Sequence, residues 1–196
     1  MKKEKIDFHE FIKSIADMLE IRDFYIRGHS TRVAEYAKVC SEEIGLKKSE
    51  VEFVQMAAYL HDIGKVGISD NILKKAEKLT EEEYLIIKQH SYMGYKILKN
   101  INGFDRFAVI VKHHHERWDG NGYPDNLRGE EIPFISRILS VADAFDAITS
   151  NRVYRDGMNI EFGKNELLKN SWKQFDGDVV NAFIKALNIG KIMANN

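Results

Sequence analysis

Residues 113–124 read HHHERWDGNGYP, three consecutive histidines that run into a glycine-rich turn ending in Tyr123–Pro124. Three of the chain's seven histidines stand here. Imidazole is a poor core filler and costly to bury without partners, so the cluster either binds metal or is a polar helix end entering a loop. The preceding residues separate its members. Phe104, Phe107, Ala108 and Val111 recur with the spacing of an amphipathic helix. At about 100° per residue, His114 and His115 fall about 60° and 40° to either side of Val111, whereas His113 falls about 200° away. The arithmetic predicts that His114 and His115 point inward and His113 outward.

The same arithmetic carries outward along the chain. Phe8, Phe11, Ile12, Ile15 and Leu19 predict an N-terminal amphipathic helix that packs on the core or on a partner, with His9 off the stripe as a solvated histidine. A second helix beginning near Gly28 carries Val33, Tyr36, Ala37, Cys40 and Ile44, ends at Gly45, and has His29 on the backward extension of its stripe. Ser49-Glu50-Val51-Glu52 reads as a capping box for a third helix. Its stripe of Val51, Val54, Ala57 and Ala58 leads to His61 and then Asp62. Gly64, Lys65 and Gly67 follow in a sharp turn that throws Lys65 close to the His–Asp pair.

Thr80-Glu81-Glu82-Glu83 is a second capping box, and the helix behind it shows Tyr84, Ile87, Gly94 and Ile97 on one face together with His90. Pro133 suits the first position of a further helix, whose stripe of Ile135, Ile138, Leu139 and Ala142 carries Asp143. Asp146, one turn on, reads either as a group supporting a ligand or as a polar neighbour, the latter slightly favoured. A loop with Arg152, Tyr154 and Arg155 precedes two more helices, the last with Val179, Val180, Phe183, Ile184 and Leu187 on its stripe.

Composition narrows the chemistry. At 196 residues, 44% hydrophobic and 30% charged, the chain suits one domain with a sizeable core. Lys plus Arg total 29 against 30 for Asp plus Glu, so the net charge of −1 offers no electrostatic case for a nucleic-acid polymer. The single cysteine, Cys40, excludes an intrachain disulfide and a cysteine-rich zinc site, which leaves N and O ligands for any metal. No window approaches the roughly 20 apolar residues of a membrane span, and the expectation is a cytoplasmic protein.

Five histidines and two aspartates thus end on apolar helix faces, where each left unpaired costs about 1–3 kcal/mol. Convergence on metal resolves that cost. Seven N and O donors are too many for one tetrahedral zinc and suit two divalent ions, and the mixed imidazole and carboxylate set favours iron, manganese, nickel, cobalt or zinc over magnesium or calcium. Two such ions bridged by a carboxylate and a hydroxide are the usual machine for phosphoester hydrolysis. Lys65, Arg152 and Arg155 suit the non-bridging phosphate oxygens. No nucleophile elbow, phosphate-binding loop or Cys/His arrangement competes.

These residues resemble the HD-GYP domain, a bacterial subset of the HD metal-dependent phosphohydrolases. The resemblance covers roughly residues 23–187 and rests on GHSxRV at 28–33, HDIGKVGI at 61–68, His90 with Gly94, HHERWDGNGYP at 114–124, GEEIP at 129–133, VADAFDAITS at 141–150, RVYR at 152–155 and QFD at 174–176. It implies an all-α helical bundle with additional C-terminal helices, here over 23–196, behind a helix over 1–22. It also implies a phosphodiesterase that hydrolyses cyclic dinucleotides, typically cyclic di-GMP, to pGpG and often onward to GMP. Carried over by position, one metal takes His29, His61, Asp62 and Asp143. The second takes Asp62 as bridge with His90, His114 and His115.

Lys65, Tyr123, Arg152 and Arg155 match substrate-contacting positions, with Lys65 also suited to protonating the leaving oxygen. Some family members bind a third metal through a glutamate one turn before the first histidine. Tyr25 stands there, so two metals are expected. Ser91 and Gly177 replace usual prolines. Two other readings stay open: an HD phosphohydrolase acting on other nucleotides, and a signalling module that binds a cyclic dinucleotide without turnover. A homodimer through the first helix and a regulatory partner protein are also open.

Overall fold

Each apolar stripe within the described residues lies on a helix. The computed structural model describes residues 7–22, 28–75, 77–151 and 157–190. Its helices are α1 (Phe8–Arg22), α2 (His29–Ile44), α3 (Lys48–Leu60), α4 (Asp70–Leu73), α5 (Glu81–Lys99), α6 (Asp105–His113), α7 (Phe134–Thr149), α8 (Ile160–Lys169) and α9 (Gly177–Asn188). Single 3-10 segments occupy Ile63–Gly67 and Gly129–Glu131, and among the described residues no β-strand forms. The all-α expectation is met.

Local signals set most boundaries. Gly45 ends α2 at φ 89°, a left-handed position where a side chain is strained. Thr80 opens α5 with both halves of a capping box: its hydroxyl accepts from Glu83 N at 3.2 Å, and its own N donates to the Glu83 carboxylate at 2.8 Å. The box expected at Ser49 does not form. Lys47 is the cap residue and makes no side-chain capping bond. The acidic residues of that turn are engaged elsewhere, Glu50 by Arg106 at 2.6 Å and Glu52 by Lys48 at 3.9 Å. Pro133 likewise caps α7 from one position before its first turn.

Helix α2 packs against α3, α7 and α9, and α5 packs against α6 and the 3-10 segment after α3. Tyr36, Phe145 and Phe183 meet edge-on at the centre of the first group, with centroids 5.1–6.2 Å apart. Glycine makes the second contact possible. A Cβ on Gly64 would stand 1.8 Å from the His90 carbonyl oxygen, and one on Gly94 would stand 2.8 Å from a Val111 methyl. Any side chain at Gly64 would drive the His61–Asp62 corner away from α5. Helix α1 lies on α3 with Ile12 and Ala16 fully buried. Phe8 and Phe11 remain about half exposed, so the predicted stripe is split between core and surface.

Candidate metal centre

The site lies where the ends of α2, α3 and α6 meet the sides of α5 and α7. His29 is the first residue of α2, while α3 stops at Leu60 and delivers His61 and Asp62 just beyond its end. His90 sits mid-way along α5, His114 and His115 follow the end of α6, and Asp143 lies on α7. The structure gathers all seven. Donor atoms of His29, His61 and Asp143 lie within 4.8 Å of one another, as do those of His90, His114 and His115 and those of His61, Asp62 and His114. Asp62 joins the two sides. Its Oδ2 is 3.4 Å from His61 Nε2 and 3.7 Å from His29 Nε2, while its Oδ1 is 3.5 Å from His90 Nε2.

The donor chemistry fits cations. His61, His90 and His114 place Nδ1 at 2.6, 2.7 and 2.6 Å from the carbonyl oxygens of Ala58, Ile87 and Val111, each three residues back. A carbonyl can only accept, so Nδ1 carries the proton and Nε2 of the neutral ring is a bare lone pair. His29 Nδ1 is committed likewise, at 2.7 Å from Asp146 Oδ2. The bare nitrogens then face each other, His29 with His61 and His90 with His114, both at 3.3 Å. Lone pairs so disposed repel unless a cation lies against them, and ligating histidines elsewhere are held through their second nitrogen in the same way.

Charge is distributed unevenly. Burial, reinforced by neighbouring imidazoles, holds His114 and His115 well below the usual histidine range and also lowers His90. At His29 burial acts in the same sense but is outweighed by the Asp146 hydrogen bond and the carboxylates of Asp143 and Asp62, so its pKa rises. Burial alone would raise the Asp62 carboxyl. The Lys65 ammonium, 2.6 Å from Oδ2, and the surrounding histidines instead hold it well below the ordinary carboxylate range.

Asp146 corrects the sequence reading. It is buried, takes the His29 ring proton, and accepts Arg32 Nε at 2.6 Å and the Ser150 hydroxyl at 3.0 Å. Burial pushes its pKa up, but the His29 and Arg32 bonds bring it down to about 2. Asp146 therefore orients a candidate ligand, and Arg32 keeps Asp146 ionised. Sequence reasoning missed Arg32 because its partner lies 114 residues away.

The loop after α6 also differs in one respect. His113 is buried rather than outward, with Nε2 2.9 Å from Asp125 Oδ2, an oxygen that the Lys112 ammonium also engages. It still lies outside the three donor groups. Glu116, also buried, accepts the backbone N–H groups of Asp125 at 2.7 Å and Leu127 at 3.1 Å, closing the loop on itself. Gly122 passes so close to the Glu116–Arg117 backbone that a Cβ would stand 2.4 Å from Arg117 N. This turn brings the Tyr123 ring to 4.9 Å from the His115 ring.

His9 is half-buried rather than solvated, with Nε2 3.3 Å from Gln55 Oε1 and its ring edge-on to Tyr59. Gly177, where proline was expected, lies under Trp172, whose ring would stand 2.1 Å from a Cβ there. Tyr25, Arg152, Tyr154 and Arg155 lie outside the described residues.

The family model described as HD domain matches residues 13–179. The chain belongs to the HD domain family. Among relatives of this HD domain, a cyclic di-GMP phosphodiesterase of Thermotoga maritima is 40% identical over 185 residues, covering 91% of the chain and 50% of that protein. A 3'3'-cGAMP-specific phosphodiesterase 2 of Vibrio cholerae is 35% identical over 180 residues, covering 90% and 34%. The chain spans about half or less of the length of these relatives. A crystal structure of a cyclic GMP-AMP specific phosphodiesterase from V. cholerae shares the fold at a TM-score of 0.74 and 19% identity, covering 94% of the chain and 49% of that one. The HD-GYP resemblance read from the motifs is borne out. Among the described residues no helix is long and apolar enough to cross a membrane.

Proposed function

We propose that this HD domain is a two-metal phosphodiesterase that hydrolyses cyclic di-GMP to pGpG and onward to GMP. One observation carries the proposal: Asp62, held ionised, lies with one oxygen toward each of two groups of bare imidazole nitrogens. His29, His61, Asp62 and Asp143 would hold one divalent ion, and Asp62, His90, His114 and His115 the other, with iron or manganese proposed first and nickel, cobalt or zinc as alternatives. Held by these residues, two divalent ions would supply an activated water as nucleophile and would neutralise charge growing on the phosphoryl oxygens.

The chain's own groups do the rest. Lys65 Nζ, beside the Asp62 oxygen, is suited to hold a phosphate oxygen and to give a proton to the leaving oxygen. Tyr123 flanks the second group, its ring 4.9 Å from that of His115, and is assigned a substrate contact by its place in the GYP turn. Arg152 and Arg155 are assigned the non-bridging phosphate oxygens by their place in the RVYR motif. Residues 1–22 are assigned to a separate helix and 23–196 to the catalytic domain. A cytoplasmic location and a dimeric or partner-regulated state belong to the same proposal.

The relative of T. maritima bears the name of a cyclic di-GMP phosphodiesterase, which supports that substrate first. The V. cholerae relative favours a second reading, hydrolysis of the mixed GMP–AMP cyclic dinucleotide. Elemental analysis coupled to a turnover assay on both dinucleotides tests the proposal. Two ions per chain and linear product are expected. A chain that stays metal-free and inert when supplied with manganese or iron sinks it. Arg152→Ala is expected to lower kcat/KM mainly through KM, and wild-type kinetics would remove Arg152 from the substrate site.

A further inference from the structure

The site has a second, aromatic side. Lys88 lies on α5, two residues before His90, and its ammonium sits over the Tyr84 ring at 4.8 Å and the Tyr123 ring at 5.3 Å. Tyr123 in turn lies 4.9 Å from His115, and His115 lies 4.9 Å from His90. Contacts of ring and cation therefore run unbroken from the second histidine group to Tyr84, which is half exposed.

Lys88 is held differently from its neighbours. Lys65 and Lys112 are paired with Asp62 and Asp125, whereas Lys88 has no carboxylate within ion-pair distance among the described residues. An ammonium resting against a half-exposed ring such as Tyr84 is held only weakly there. It yields readily to a better acceptor. Its three donors, beside a half-exposed ring, match a purine that offers acceptors on one edge. Guanine presents O6 and N7 together there, whereas adenine places an amine donor beside N7, which an ammonium repels. Tyr84 adds a face of the kind on which nucleobases stack.

We infer that Lys88, with Tyr84 and Tyr123, forms a base-recognition subsite that selects guanine in a cyclic dinucleotide held at the metal centre. The inference rests on the functional reading above and adds a specificity determinant to it. A phosphate is the other acceptor a lysine takes, but a phosphate contact would treat all cyclic dinucleotides alike, and the test separates the two.

The experiment uses the metal-loaded full chain with cyclic di-GMP and cyclic di-AMP. Turnover is measured in parallel with binding by calorimetry, the latter with phosphorothioate analogues that resist hydrolysis. Lys88→Met keeps the stem and removes the donors. It is expected to raise KM and Kd for the guanine compound about tenfold while leaving kcat and metal content unchanged, and to collapse guanine preference by a similar factor. Lys88→Arg, which donates to the same two acceptors, restores the preference.

The outcomes are distinguishable. Turnover with an unchanged guanine preference in Lys88→Met overturns the inference alone. Equal losses on both dinucleotides also overturn it, in favour of phosphate contact. Guanine-selective binding that depends on Lys88 but is never followed by turnover supports the subsite and sinks the proposed activity. Failure of wild type to bind either compound overturns both.

Discussion

The two histidine groups meet at Asp62 but are built on different electrostatics. The group of His29, His61 and Asp143 is rich in carboxylates, with Asp62, Asp143 and Asp146 all facing His29. The group of His90, His114 and His115 is almost wholly imidazole, with Asp62 as its nearest carboxylate. His29 consequently holds a proton more tightly than an ordinary histidine, whereas the other three hold one less tightly. The first group attracts a cation by charge, and protons compete for its His29 more strongly than for the histidines of the second. The second is already in its ligating form, because burial has removed the competing proton.

Asp62→Ala removes the group common to both sides and should have the largest effect. Turnover is expected to fall by about a thousandfold or more, with helical content by circular dichroism retained. Retained turnover would show that the sides work independently. Asp146→Ala acts on one side only, releasing the His29 ring. It should weaken the first ion by about 10- to 100-fold and leave the second untouched, as metal titration followed by elemental analysis would report. Equal weakening of both would erase the comparison.

Acid gives a third, smaller handle. As pH falls through the raised His29 value, protons compete for the first group while the lowered histidines stay free. The first ion should therefore weaken by up to about tenfold per pH unit before the second responds. Ion content after gel filtration at stepped pH checks the order, and simultaneous loss would contradict it. His113→Ala, outside both groups, should leave metal content unchanged. It should raise KM about fivefold, equivalent to about 1 kcal/mol for one hydrogen bond holding the Tyr123 loop.

What was legible in the sequence was local. The capping box at Thr80, the left-handed glycine at 45 and the stripes of α2, α3 and α9 depend on neighbours within a turn or two. Helical periodicity therefore reports them directly. The Ser49 box does not form because the helix begins two residues earlier than read, with Lys47 in the cap position, so Ser49 already lies inside the first turn. His113 was misread because its helix ends at that residue, so an angle continued from Val111 says little about what the following loop lays over it.

The sequence by itself determined that the chain is helical and that seven histidines and aspartates face inward, since a period of 3.6 residues tells one side of a helix from the other. Only the tertiary structure decided which nitrogen meets which oxygen. Asp146 supports His29 from 117 residues away, Gly64 lets the His61–Asp62 corner approach His90, and Lys88 comes to rest between two tyrosine rings. Periodicity assigns each side chain a direction, but partners are chosen by the packing of separate helices, and no short-range pattern carries that information.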